Sequence, residues 1–147
     1  MRIFLLFIFA IVLSGCASKS MLPKSSSEIN FSMNEGKTGW SQYKQVETFR
    51  GYQKDRIYAA AKAGLGAAGF ALREADISAG RVVGEHGITL HDWNIIAGVY
   101  FRESGMNTDV AIVIEGSKDT GFSGDVTGDG WSGKIIKEMY NYLAQTK

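Results

Sequence analysis

The chain has 147 residues, with 16 Lys plus Arg against 15 Asp plus Glu, one cysteine and one proline. That length suffices for one domain with a proper core, and a near-neutral balance without like-charge runs leaves no footprint for nucleic acid or anionic headgroups. A single cysteine excludes an internal disulfide framework, so the folded domain must be stable from its core alone.

The N-terminus reads as an export signal. Arg2 is a minimal positive region, and Ile3 to Val12 is uninterrupted apolar sequence. This run is too short for a membrane-spanning helix, which takes ~20 residues, but it suits a signal-peptide core of about 7–15. It ends in Leu13-Ser14-Gly15-Cys16, which resembles the lipobox of bacterial lipoproteins. The resemblance implies cleavage before Cys16 and a diacylglyceryl group on its sulfur. A single acyl chain gives only marginal membrane binding, at ~0.8 kcal/mol per buried CH₂, and the resemblance implies at least two chains. Residues 1–15 contain Arg2 and no acid, so the 132 residues that remain of 147 have balanced side-chain charge. Ala17 stands where an aspartate would signal inner-membrane retention, so the expected destination is the outer membrane, with the domain facing the periplasm.

Residues 16–39 read as the lipidated cysteine and a flexible tether. The stretch is serine-rich and holds Pro23, and such composition buries too little apolar surface to offset the cost of ordering it. A flexible chain of ~20 residues gives a stand-off of roughly 25 Å. Ile29, Phe31 and Met33 alternate with polar residues, a pattern compatible with a short docked strand. A single α+β domain is expected over residues 40–147.

Trp40 to Arg50 is predicted as a first strand ending at Gly51. A helix follows, with Asp55 as N-cap and Ile57, Ala61, Leu65 and Ala68 recurring at intervals of three and four. Its many Ala and Gly residues predict close approach to a sheet, and Gly69 is a natural stop. Strands are predicted over Phe70–Asp76 and Gly80 to about Leu90, around a turn whose Gly80 suits positive φ. Asn94–Glu103 places Ile95, Ala97, Val99 and Phe101 on one face, and Asp109–Glu115 places Val110, Ile112 and Ile114 on one face. Ser104 to Asn107 reads as the hairpin loop between them. A short edge strand is expected near Phe122–Val126. A second helix from about Ser132 carries the stripe Ile135, Ile136, Met139, Tyr140 and Leu143. The order predicts an antiparallel sheet of about five strands with two helices packed on one face.

Candidate chemistry is sparse. Gly128 to Ile135 nearly spells a phosphate-binding loop, but Ile135 stands where a hydroxyl must hold magnesium; a glycine-rich lead into the last helix explains the same residues. Asp125, Thr127, Asp129 and Gly130 imitate half of a calcium loop, with Asp119 nearby. Ile136 replaces the bidentate glutamate that calcium would need, and aspartates that bond their own backbone account for the pattern. His86 and His91, flanked by Glu85 and Asp92, are too few for a zinc site, and no nucleophile lies near in sequence for a general base. They read as surface or turn histidines, and neither a metal, a cofactor nor a catalytic residue is assigned. Of the many aromatics, Phe101 reads as core, while Trp93 stays open between core and partner surface.

The run from Asp55-Arg56-Ile57-Tyr58-Ala59 into Gly69-Phe70-Ala71-Leu72, then Asp76 to Val82 and a closing amphipathic helix, resembles the small helix-grip lipoproteins of Gram-negative bacteria, the BamC-like group. The resemblance spans Trp40 to Leu143. It implies a helix-grip-like fold. The group's best-known member carries two such domains where this chain has room for one, so the fold alone is carried over. The expected function is that of a non-enzymatic, lipid-anchored envelope protein that binds another envelope protein or supports assembly. The alternative is a helix-grip domain that holds a small apolar ligand between its helix and sheet.

Overall fold

A computed structural model describes residues 19–36, 42–87, 94–116 and 130–146. Cys16, Ala17, Trp40, His91, Asp92, Trp93, Asp119, Asp125, Thr127, Asp129 and the expected strand at Phe122–Val126 lie outside them. The elements are β1 (Glu35–Gly36), β2 (Gln42–Phe49), α1 (Lys54–Ala67), β3 (Ala71–Asp76), β4 (Arg81–His86), β5 (Ile95–Ser104), β6 (Asn107–Gly116) and α2 (Trp131–Gln145). The sheet order is β1-β2-β6-β5-β4-β3, antiparallel throughout. Five strands carry the sheet and two-residue β1 extends one edge. Both helices pack on one face, which is the helix-grip-like α+β arrangement that the sequence predicts.

The alternation read from β5 and β6 holds. Ile95, Ala97, Val99 and Phe101 join Val110, Ile112 and Ile114 in the core beneath the helices. The α1 stop is also as expected. Gly69 has φ +97°, Phe70 N–H donates to Leu65 O at 2.9 Å, and Gly69 N–H donates to Gly66 O at 3.0 Å. This is the paired closure that favours glycine after a helix.

The helix start differs. Gln53, not Asp55, is the N-cap, and it makes no side-chain capping bond. Ile57 N–H already donates to Gln53 O, so Asp55 falls in the first turn, where its charge favours the helix dipole instead. Tyr140 also leaves the buried stripe. It is 41% exposed, stacked on Phe49 with ring centroids 4.5 Å apart, and donates to Glu47 Oε1 at 3.0 Å. A phenol needs a partner for its hydroxyl, and the rim of the core supplies one.

The largest difference concerns the expected tether. Residues 19–36 form a strap that crosses the face of the sheet opposite the helices. Leu22 and Phe31 are buried there in a second core with Val83, Ile96, Tyr100, Ala111 and Val113. The physical reason lies in β4 to β6, which are apolar on both faces. Val82 faces the helices and Val83 faces the strap; Ile95 and Ile96 divide the same way. Each large apolar side chain taken from water contributes ~1.5–3 kcal/mol, so the sheet favours a second cover. Met33 stays 57% exposed, and the strand in this segment is Glu35–Gly36 rather than the Ile29–Met33 alternation.

The helices touch through small residues. A Cβ at Gly64 would lie 2.7 Å from Met139 Cγ and 3.0 Å from Ile135 O, whereas one at Gly66 would meet nothing within 4 Å. The two glycines therefore predict opposite outcomes in urea denaturation. Gly66→Ala raises stability by up to ~1 kcal/mol through helix propensity. Gly64→Ala lowers it by about 1–3 kcal/mol through overpacking against a backbone carbonyl.

Candidate functional site

Three polar side chains on the strap face of the sheet hold the strap by its backbone. Tyr100 Oη donates to Pro23 O at 2.7 Å. Arg81 Nη1 donates to Lys24 O at 3.2 Å and lies 3.5 Å from Glu74 Oε1. Lys44 Nζ donates to Asn30 O at 2.7 Å and to Glu35 Oε1 at 2.7 Å. All three side chains are buried, where leaving a donor or carbonyl unmatched is costly. One such cost persists: Arg81 Nε is buried and lacks a hydrogen-bond partner among the described residues.

Local chain chemistry positions these groups. Gly98 makes room for the Tyr100 ring, since a Cβ there would lie 2.6 Å from Tyr100 Cε2. The Asp76 carboxylate accepts from the Ser78 hydroxyl and from Ser78 and Ala79 N–H. Those bonds, the Ser78 hydroxyl first, hold its pKa below the usual carboxylate range. The turn so formed presents Ala79 O to Ser26 N–H at 2.9 Å. Strap and sheet thereby share a cavity of about 200 Å³, lined by Pro23, Glu28, Ile29 and Asn30 on one side and by Lys44, Val113 and Glu35 on the other. It is smaller than the ~300–1,000 Å³ that small-molecule sites occupy.

The space where a helix-grip ligand would sit is occupied by side chains. Ile57, Ala61, Leu65, Phe101, Ile112 and Met139 are fully buried between helices and sheet. A Cβ at Gly84 would lie 2.8 Å from Phe70 Cβ and 3.2 Å from Leu65 Cδ2. A separate, open depression of about 360 Å³ lies at the rim of the helix layer, between Glu47, Thr48, Arg50, Tyr52 and Tyr140. Burial, and then the Glu47 carboxylate, push the Tyr140 hydroxyl up to about 12. Its lining mixes the polar groups of Glu47, Thr48 and Arg50 with the rings of Tyr52 and Tyr140, and it lies open at the surface.

His86 is packed among aromatics. Its ring is 4.5 Å from Trp131 and 5.5 Å from Phe70, and its Nδ1 lies 2.9 Å from Gly87 O. Among the described residues no group of three or more His, Cys, Asp or Glu could hold a metal. Lys134, the lysine of the phosphate-loop imitation, donates to Ala68 O at 3.1 Å and stands over the Trp131 ring. Its charge ties α2 to the carbonyl end of α1, where a cation is favoured. Phe101 is core, as expected. The strap contacts were not among the sequence candidates; the unbroken apolar run Val110 to Ile114, which asks for cover on both faces, was the signal for them.

The strap bonds generate a pH prediction. Burial raises the Tyr100 hydroxyl well above its ordinary 10. Between that value and its folded one, the unfolded chain binds fewer protons than the folded chain, so stability falls as pH rises. The Tyr100 contribution is fully present below pH 10 and lost above it. Urea midpoints measured at about pH 8 and near pH 11 should show this decline, and Tyr100→Phe should weaken it. At the lower pH the same substitution costs about 1–2 kcal/mol, because Pro23 O loses its donor.

No family model matches the sequence, and no curated protein matches it. Several solved structures are similar in shape. The Thermus thermophilus protein TTHA0849 matches at 11% identity with a TM-score of 0.45, over 72% of this chain and 99% of its own. Ara h 8.0201 matches at 10% with a TM-score of 0.48, over 71% and 97%. CV1439 from Chromobacterium violaceum matches at 14% with a TM-score of 0.39, over 72% and 96%. The fold stands on the strand order and helix placement described above rather than on these likenesses.

Proposed function

We propose that this chain is a non-enzymatic, lipid-anchored envelope module: it is exported, cleaved before Cys16 and acylated there. It is sorted to the outer membrane, with its domain facing the periplasm and binding another envelope protein. One observation carries the reading. The only cysteine of the chain follows the apolar run Ile3–Val12, directly after Leu13-Ser14-Gly15, in the lipobox-like pattern of bacterial lipoproteins. No helix among the described residues is long and apolar enough to cross a membrane.

Protein binding is preferred to a small apolar ligand because of packing. A ligand between α1 and the sheet would have to displace Leu65, Phe70 and Met139 from a close-packed core, at a cost of several kcal/mol. The alternative ligand reading would regain ground if a lipophilic probe bound the purified domain and raised its melting temperature.

Two measurements test the proposal. Cys16→Ser should remain unlipidated and leave the membrane fraction; membrane retention of that variant would sink the anchor. Crosslinking in intact cells should join the wild-type chain to another envelope protein, and a chain that stays uncrosslinked throughout would count against a protein partner.

A further inference from the structure

The strap changes what a lipid on Cys16 would do. A flexible tether over residues 16–39 would leave the domain free to swing. The described fold instead begins at Lys19 and is locked by Leu22, which is 3% exposed. Three peptide steps separate Cys16 from Lys19, and a fully extended chain covers at most ~3.6 Å per step, or ~11 Å. A domain of this size has a radius of gyration of ~13 Å. The leash is shorter than the body it holds.

The strap also determines which part of the body faces the anchor. Its first turn, Lys19–Met21, lies beside β3, with Lys19 Nζ 3.8 Å from Glu74 Oε2. From there the strap crosses the sheet to reach Lys44 on β2. The anchor end is therefore the β3 edge, and the β2 edge with α2 is the far side. At the anchor end Met21 is 53% exposed, between Lys19 and Lys24, which are also exposed. An apolar side chain flanked by long-stemmed amines suits the boundary between acyl chains and phosphates.

We infer that the domain rests directly on a phospholipid bilayer through the turn Lys19–Met21, with the β3 edge toward the lipid and the β2–α2 side toward the aqueous phase. This inference rests on the proposed acylation of Cys16. Lipid contact is then set by chain length, and the partner must approach from the β2–α2 side.

The test uses the full lipidated protein in phosphatidylethanolamine–phosphatidylglycerol vesicles that carry a headgroup spin label. A fluorophore is placed at Met21→Cys or, on the exposed face of α2, at Lys137→Cys; acylated Cys16 does not react. Over a leash of ~11 Å, the Met21 fluorophore should be quenched at least about threefold more than the Lys137 one. Inserting twenty Gly/Ser residues between Ser18 and Lys19 should remove that difference while the protein still floats with the vesicles. Equal quenching at the two sites, or a difference that survives the insertion, overturns the inference and leaves the anchor standing. Failure to float, with an unmodified Cys16 by mass spectrometry, overturns both.

Discussion

The centre of the sheet, β4 to β6, is apolar on both of its faces, and the rest of the fold answers the need to keep water off each. One face is closed by two amphipathic helices in the usual way. The other is closed by residues 19–36, a segment that forms no long regular element. Such a segment satisfies only some of its carbonyls internally, so sheet side chains must satisfy others. Tyr100, Arg81 and Lys44 take that role at Pro23, Lys24 and Asn30. Each is a large side chain whose apolar body lies in the second core or along its border while its polar tip reaches the strap.

Packing on the helix face is close because it is built from small residues. Ala60, Ala61 and Gly64 lie on the buried side of α1 with Ala68 buried at its C-cap, and Gly84 gives Phe70 and Leu65 a place to rest. The same choice that brings helix and sheet together removes the volume that a guest would need. The two layers thus point the same way. The interior serves stability, which a domain without an internal disulfide requires, and this is why a surface role is proposed. His86 and Lys134 fit this picture, since both serve the junction of α1, α2 and β4 through Trp131.

The strap would also link the fold to the proposed location. A chain whose described fold lies within three residues of its proposed lipid would not be a passenger on a string. Its orientation would then be a property of the fold, because the segment that closes the second core is the segment that leads to the proposed anchor. Loosening the Tyr100 or Lys44 bonds would then change strap stability and orientation together.

Much of this protein was legible in its sequence because the signals are local. Period-two alternation marked β5 and β6, three–four spacing marked both helices, and Gly69 marked a stop whose geometry only glycine takes easily. An apolar run, small residues and a lone Cys16 make the pattern on which the proposed anchor rests, and it needs no coordinates. Other features depend on contacts between residues far apart in the chain. Nothing near Pro23 announces that Tyr100 will bond to it, and a serine-rich segment with only Leu22, Ile29 and Phe31 as apolar anchors reads as a tether by composition. Its order is lent by the sheet it covers. Tertiary structure decided that cover, the filled space beneath α1 and the displacement of Tyr140 to the rim, since each depends on which surfaces meet and how much room they leave.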